Sequence, residues 1–455
     1  MKGKNTVHWR PYIPLNRISE TKMPYVCRIA PNADRFAFEW FDKEDQNGPH
    51  TLIWGELGGE MQRTPITGST MQIAGLKKDC NYEFFIEAAD GRTSRHRLVR
   101  TGDIPPGTSV INYLHPEDTQ YDFSGRFLCS PSLARTKSGR LVAGMDVFGP
   151  KMAQNLTLLF ASDDNGESWH YLCDLYPFYW SCLFVRNDKL YILGQTTEYG
   201  NLQIACSEDE GETWSAPTTI LYGSNLLCPY GGINHSPMHL TEAGGRLWTG
   251  YEYGGWAIRS HIPGMLSMPS DADPMLPESW TLSELLPFDG EWKEAADGVQ
   301  GDTMEANTLR MPNGELYHYL RWKSGEILRM RVNEENPDAP LTFVDIINAP
   351  AANSMFRIFP YREEWLMVAN DPVVPRRRNL LSLFKTDDLC HFEKVRDLID
   401  FSRYDAEKYG FQYPTFLLEG DTLLLSIRSA FNNADSFHNS NYMLFMRVEL
   451  KDINK

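Results

Sequence analysis

Two stretches of this chain bring a carboxylate and a guanidinium within reach of each other. Met304-Glu305-Ala306-Asn307 opens one apolar run, Tyr319-Leu320-Arg321 closes the next, and Gly314 lies in the turn between, so a hairpin would set Glu305 across from Arg321. A carboxylate that opens a buried strand is costly unless it binds or reacts, and the alternative is an ion pair between neighbouring sheets. Arg321 reads as a binder of a substrate carboxylate or hydroxyl, or as the structural partner of Glu305 or Glu252. Phe411-Gln412-Tyr413-Pro414 offers an amide and a phenol; the phenol, with a pKa of about 10, is a nucleophile only beside a base, and is otherwise a core tyrosine. His235, in Asn234-His235-Ser236-Pro237, could move a proton near neutral pH. Glu252 and His438 are candidate ligand contacts or supports, and Asp146, in Ala143-Gly144-Met145-Asp146, could fix a strand end. Arg357, Arg378 and Arg428 are further guanidinium sources; the run Arg376-Arg377-Arg378-Asn379 reads as a solvated loop from which one member reaches the site. Trp180 and Trp256 could stack on a sugar or pack between sheets. Together these groups suit acid–base and nucleophilic work on an anionic or polyhydroxylated ligand. No metal-ligand spacing and no cofactor motif accompanies them.

The totals limit the partners. Forty-four basic against sixty acidic residues give a net charge of −16 over 455 residues, which argues against nucleic acid and against an anionic membrane surface as partners, so any anionic substrate must be held by local arginines. The eight cysteines are scattered without a C-x-x-C pair, so neither a zinc site nor a disulfide framework is expected. The first residues, Met1-Lys2-Gly3-Lys4-Asn5, lack an apolar core of a leader and no run of 18 apolar residues occurs; a cytoplasmic location is the expectation. The oligomeric state is left open.

The elements that must position the candidates are strands. An aromatic content of 12%, 34 Gly and 28 Pro, without long helical periodicity, indicate an all-β chain. After an N-terminal extension (1–22), short alternating runs such as Arg35-Phe36-Ala37-Phe38-Glu39-Trp40 and Tyr82-Glu83-Phe84-Phe85-Ile86 predict a small β-sandwich over 23–103. Ile104-Pro105-Pro106-Gly107 reads as a stiff linker into the remaining chain, 104–455. There, six hairpins recur, beginning at Pro131, Leu183, Pro237, Thr308, Phe356 and Pro414. Ser162–Trp169 and Ser207–Trp214 both spell S-x-D-x-G-x-x-W, 45 residues apart, with decayed copies at Ser270…Trp280 and Thr386-Asp387-Asp388…Phe392. Such a motif is a turn device, with Ser and Asp bonding backbone groups, Gly taking a conformation closed to other residues and Trp packing between strands. It resembles the Asp-box of sialidase-like proteins, which implies a six-bladed β-propeller preceded by the sandwich. Ile73-Ala74-Gly75-Leu76…Asn81-Tyr82-Glu83-Phe84 resembles a fibronectin type III domain, in which the Leu and Tyr are core and corner residues; it is read as a packing accessory or a sugar-binding module.

The resemblance to sialidases also implies an oligosaccharide or glycoside as substrate, and roles for the candidate residues. It nominates Tyr413 as nucleophile, Glu305 as the base that takes its proton, Asp146 as general acid/base, and Arg321 as one member of a carboxylate clamp, with Arg357, Arg378 or Arg428 completing it. The chain departs from sialidases where a Phe-Arg-Ile-Pro motif would supply the first clamp arginine: Leu128-Cys129-Ser130-Pro131 stands there. More broadly it resembles bacterial sialidase-like proteins with Asp-box repeats, through Ser130-Pro131-Ser132, Asp146-Val147-Phe148, Thr197-Glu198-Tyr199-Gly200, Gly250-Tyr251-Glu252-Tyr253-Gly254, Gly410-Phe411-Gln412-Tyr413 and Phe437-His438-Asn439-Ser440-Asn441-Tyr442. Three readings follow: an exo-acting glycoside hydrolase that is not a standard sialidase, a uronate-directed polysaccharide lyase in which His235 or a tyrosine removes a proton, and a non-catalytic carbohydrate-binding propeller.

Overall fold

A computed structural model describes residues 21–225, 227–258, 260–289, 304–373, 377–451 and 453. The expected extension falls mostly outside them, as does Arg376 of the basic run. Two small sheets come first. One contains Tyr25–Pro31, Arg35–Phe41 and Thr70–Ala74; the other contains Gln62–Ile66, His50–Glu56, Asn81–Ala88 and Arg97–Arg100. Their strands alternate in the way the sequence does: Phe36, Phe38 and Trp40 from one sheet meet Tyr82, Phe84 and Ile86 from the other in a shared core. The Tyr82 hydroxyl accepts the Lys77 amide at 2.9 Å, pinning the turn that follows Leu76.

Six antiparallel sheets follow among the described residues. In the first, Phe127–Arg135, Leu141–Phe148, Leu156–Ser162 and His170–Leu175 pair in chain order. The second is Tyr179–Arg186, Lys189–Gln195, Leu202–Ser207 and Thr218–Leu221. The third is built on Arg246–Gly255 and Ser260–Pro269, and its innermost strand is split into Gly232–Asn234 and Thr241–Ala243. The interruption spans the expected hairpin start at Pro237, which has no N–H to give a ladder. The fourth runs from Met304–Arg310 through Leu316–Arg321 and Glu326–Arg331 to Thr342–Asn348, the fifth from Arg357–Tyr361 through Glu364–Asn370 and Leu380–Thr386 to Glu393–Asp400. The sixth holds Gly410–Glu419, Thr422–Ala430 and Tyr442–Glu449, and takes its outermost strand, Thr108–Tyr113, from ahead of the first sheet.

Each sheet shares a core with the next. Val142 and Leu159 of the first pack with Leu183 and Ile192 of the second, and Leu193 and Ile204 with Leu247 and Leu266 of the third. Trp248 and Met265 pack with Leu320 and Leu328 of the fourth, Tyr319 and Ile327 with Met367 and Phe384 of the fifth, Leu366 and Leu383 with Leu425 and Ile427 of the sixth. The sixth returns to the first through Leu424, Met443 and Phe445 against Leu141, Leu158 and Trp169. Strands buried on both faces lose the alternation seen in the N-terminal sheets, which is why Leu141–Phe148 is buried at every residue.

The S-x-D-x-G-x-x-W turns join third to fourth strands. In the first, Ser162 Oγ accepts the Gly166 amide at 2.7 Å, and Asp164 accepts the Ser168 amide at 2.9 Å. Gly166 is obligatory: its φ is +89° and a Cβ there would lie 2.0 Å from Phe445 Cε1. Ser207, Asp209, Gly211 and Thr213 repeat the pattern, and Thr386 with Asp388 keeps part of it. Ser270 and Trp280 lie between Ser260–Pro269 and Thr281–Leu282, a short strand that pairs with it at the outer edge of the third sheet. Arg28 of the N-terminal sheets covers the outermost strand of the sixth, donating to Val110 O at 2.8 Å and Ile111 O at 2.7 Å, and so occupies an edge that would otherwise be open.

Candidate active site

Four innermost strands begin with the same irregularity. The pairing register shifts at Cys129–Ser132 opposite Asp146–Gly144, at Tyr179–Cys182, at Met304–Asn307 and at Gln412–Thr415. Within each shift one residue without a glycine's freedom has a left-handed backbone: Ser130 (φ +49°), Trp180 (+48°), Glu305 (+58°) and Tyr413 (+55°). A β-bulge of this kind turns a side chain out of the alternation of its strand, and left-handed φ costs a non-glycine residue about 1–2 kcal/mol. Such outliers cluster where a site requires them. Here Ser130, Trp180 and Tyr413 line one cavity of about 380 Å³, with Cys129, Phe148, Lys151, Gln154, Glu198, Trp256, Arg321, Arg378, Arg428 and His438 also on its wall.

At its base the Tyr413 hydroxyl donates to Glu305 Oε1 at 2.5 Å. Arg321 Nη1 donates to the other carboxylate oxygen of Glu305 and to Tyr413 Oη at 3.0 Å. Arg321 Nε is held by Asn353 Oδ1 at 2.7 Å, and the Asn353 carbonyl accepts Arg378 Nη2 at 2.7 Å, so one loop residue sets two guanidinium groups. Arg378 also bonds Gln412 Oε1, while Arg428 bonds His438 O at 2.5 Å. Their Cζ atoms stand 5.5 Å and 5.2 Å from the Tyr413 ring centre, within cation–π range. Among the described residues neither Arg378 nor Arg428 has a carboxylate partner; Glu305 is committed to Arg321. The site therefore carries three guanidinium groups against one contacting carboxylate, an environment built for an anion. Burial, with the neighbouring Arg321 and Arg428 charges, brings Arg378 down to about 10 despite the opposing pull of Tyr413. Burial and then Glu305 push the Tyr413 phenol up, so the hydroxyl keeps its proton until a base takes it.

Polar side chains at the ends of second strands reach across to the next innermost strand. Glu252 Oε1 accepts the Glu305 amide at 3.0 Å; Asp146 accepts the Ser181 hydroxyl at 2.7 Å and its amide at 3.3 Å; Gln195 accepts the His235 amide at 3.2 Å; and Asn370 donates to Phe411 O at 2.6 Å. This repeated strap corrects two sequence expectations. Asp146 is fully buried behind the wall, its Oδ1 also taken by the Thr157 hydroxyl at 2.5 Å, and burial raises its carboxyl to about 7. Glu252 is likewise sealed beneath Glu305, and burial raises its carboxyl well above the ordinary glutamate range. His235 is also off the cavity wall, with Nε2 3.2 Å from Thr249 Oγ1 and burial lowering its pKa to about 4. Gln412 turns inward to orient Arg378. Arg357 lies in a separate cavity of about 360 Å³, bonding Pro414 O at 3.1 Å and Pro237 O. His438 stands on the open wall, its imidazole held well below the ordinary range by the surrounding protein and then by Arg428 and Arg378.

The cavity also contains groups that were not singled out. Glu198 Oε1 accepts Trp256 Nε1–H at 2.9 Å and Oε2 accepts Gln154 Nε2–H at 3.1 Å; Gln154 is itself fixed by the Tyr179 hydroxyl at 2.8 Å. The sequence signal was the quartet Thr197-Glu198-Tyr199-Gly200, whose Tyr199 has φ +62°.

Among family models, that of the BNR repeat-like domain matches residues 190–425, more than half of the sequence. This chain belongs to the BNR repeat-like family. No curated protein sequence matches it. Solved structures do. The Hadza microbial sialidase Hz136 is 13% identical with a TM-score of 0.52, over 95% of this chain and 94% of that one. An alpha-L-arabinofuranosidase from Fusarium graminearum in complex with an iminosugar inhibitor is 12% identical with a TM-score of 0.51, over 77% and 100%. An alpha-L-arabinanase from Penicillium chrysogenum complexed with arabinobiose is 12% identical with a TM-score of 0.50, over 77% and 99%. The likeness shows the fold: the BNR repeat-like chain is an all-β propeller of the sialidase and arabinanase kind, and these neighbours are glycoside hydrolases.

Proposed function

We propose that this protein is an exo-acting glycoside hydrolase of a sugar carrying a carboxylate, with Tyr413 as nucleophile and Glu305 as its base. The observation that carries the reading is the Tyr413 hydroxyl 2.5 Å from Glu305 Oε1, with Arg321 bonded to both. A phenol whose pKa burial has raised attacks an anomeric carbon only as its proton leaves, and Glu305 is in hydrogen-bond contact to take it. Arg378 and Arg428, without carboxylate partners of their own among the described residues, bind the substrate anion. The first-sheet arginine that the resemblance to sialidases implies, and this chain lacks, is thereby replaced from the sixth sheet by Arg428, whose Cζ stands 4.7 Å over the Phe148 ring. The six sheets are proposed as six blades closed by Thr108–Tyr113, and the two N-terminal sheets as a fibronectin type III-like packing module over 23–103.

A screen of acidic and neutral oligosaccharides with mass detection of products tests the reading. Release of a terminal acidic monosaccharide, slowed ~10²–10⁴-fold in Glu305→Gln, is the expected result. An unsaturated uronate product would make the reaction an elimination, and glycan affinity without product would make the protein a binding propeller; either overturns the hydrolase reading.

A further inference from the structure

We infer that Glu198 is the general acid/base of this site, acting on the leaving-group oxygen opposite the Tyr413 nucleophile. The inference rests on the hydrolase reading above and supplies the proton donor that it lacks. Three observations favour Glu198 over every other described carboxyl group near the cavity. It is the sole acidic residue among the described residues that line the wall. Asp146 and Glu252 are sealed behind it by Thr157, Ser181 and the Glu305 backbone, and Glu305 is engaged by Tyr413 and Arg321.

Second, Glu198 is aimed. Each carboxyl oxygen accepts one N–H, from Trp256 at 2.9 Å and from Gln154 at 3.1 Å, and both donors are themselves fixed. The Trp256 amide donates to the Tyr199 hydroxyl at 2.9 Å, and Gln154 Oε1 accepts the Tyr179 hydroxyl at 2.8 Å. Gln154 and Tyr199 have left-handed backbones, φ +50° and +62°, the same outlier seen at Tyr413 and Glu305. Third, its surroundings suit a proton donor. Glu198 has no ion pair among the described residues, and the wall that it shares with Gln154 and Lys151 carries the rings of Tyr179, Trp180 and Trp256. Burial raises its carboxyl above the ordinary glutamate range, against the pull of Trp256 and Gln154.

The steps balance. Tyr413 Oη bonds the anomeric carbon and passes its proton to Glu305 as the glycosidic C–O bond breaks; the leaving oxygen takes the proton of Glu198. In the second half, water attacks the same carbon and gives a proton to Glu198, the tyrosyl C–O bond breaks, and Tyr413 recovers its proton from Glu305. The two displacements retain the anomeric configuration.

Leaving-group dependence tests the role. Glu198→Gln and Glu198→Ala are assayed on 4-methylumbelliferyl N-acetylneuraminide against sialyllactose, and on the 4-methylumbelliferyl glucuronide against a glucuronyl disaccharide, with thermal unfolding as the control for folding. A sugar leaving group needs a proton and an aryl one does not, so the variants are expected to lose ~10²–10⁴-fold on the disaccharide and less than ~10-fold in the release of the aryl alcohol during the first turnover. Azide should accelerate later aryl turnovers of Glu198→Ala, giving the glycosyl azide with the retained configuration. Equal losses on both leaving groups in a folded variant would overturn the assignment while leaving the hydrolase reading intact. A wild-type protein that releases nothing from either pair or from the wider screen overturns both.

Discussion

If Tyr413 and Glu305 act as a unit, removing either should cost what removing both costs. In Tyr413→Phe the ring remains for Arg428 at 5.2 Å and Arg378 at 5.5 Å, so the packing and cation–π contacts survive while the nucleophilic oxygen goes. In Glu305→Gln the amide oxygen can still accept the phenol hydrogen bond now 2.5 Å long, but it cannot take the proton. General base assistance contributes typically ~10²–10⁴-fold, about 2.7–5.4 kcal/mol of barrier. Each single variant should therefore lower kcat/KM by that factor on the substrate identified in the screen, and the double variant by about the same factor, not by the product of the two. The assay is initial-rate kinetics of wild type, both singles and the double, with circular dichroism confirming that the sheets persist. A double variant whose loss is the product of the single losses would refute the coupling, and a Glu305→Gln enzyme with unchanged kcat would refute the base.

Three further outcomes follow from the same contacts. Arg428→Ala should raise KM about 10–100-fold for the acidic substrate and leave turnover of its methyl ester nearly unchanged, since a charge-assisted hydrogen bond is worth about 1.5–3 kcal/mol; parallel kinetics on acid and ester check it. Asp209→Ala removes acceptors for the Ser207 hydroxyl and the Thr213 amide, both at 2.8 Å, and should lower stability by about 1–2 kcal/mol with kcat unchanged. Burial pushes the Asp209 carboxyl up, but the Thr213 hydroxyl, the Thr213 amide and the Ser207 hydroxyl together hold it below its ordinary range, so its contribution is present above about pH 4 and fades as pH falls through the lowered value, visible as a pH-dependent gap between wild type and variant in thermal unfolding. Asp146→Asn should keep kcat within about 10-fold, where a general acid would lose ~10²–10⁴. Because burial raises Asp146 to about 7, its wild-type contribution to stability declines as pH rises from about 4 towards 7, and the variant should flatten that decline.

What the sequence made legible was repetition. Strand and turn chemistry recur, so the hairpins, the turn devices at Ser162 and Ser207 and the polar openings at Glu305 and Tyr413 could be read from residue types and spacing. The split innermost strand of the third sheet was less legible, because Met238-His239-Leu240 has the pattern of a strand, although Pro237 ahead of it weakens the ladder. Nor did the alternation of Thr108–Tyr113 say that this strand would pair with Tyr442–Glu449, more than three hundred residues away, since closure of a ring is a property of the whole chain.

The site itself was legible in type but not in direction. Asp146, His235 and Glu252 have the side chains that chemistry would need, and a period-2 strand gives no warning that Asp146 and Glu252 brace the next sheet's backbone while His235 bonds Thr249 of its own sheet. What separates them from Ser130, Trp180, Glu305 and Tyr413 is one bulge per strand, with a left-handed residue that local sequence does not favour. The conformation persists because its surroundings supply the bonds: Glu252 accepts the Glu305 amide, Glu305 accepts the Tyr413 hydroxyl while Arg321 donates to it, and Asp146 accepts the Ser181 amide next to Trp180. The braces and the bulged residues thus form one device, in which buried polar side chains off the cavity wall hold the backbone beside Trp180, Glu305 and Tyr413. A brace substitution should accordingly disturb catalysis only through the position of its bulge, which is why its effect would fall on all substrates alike, whereas loss of Glu198 would depend on the leaving group.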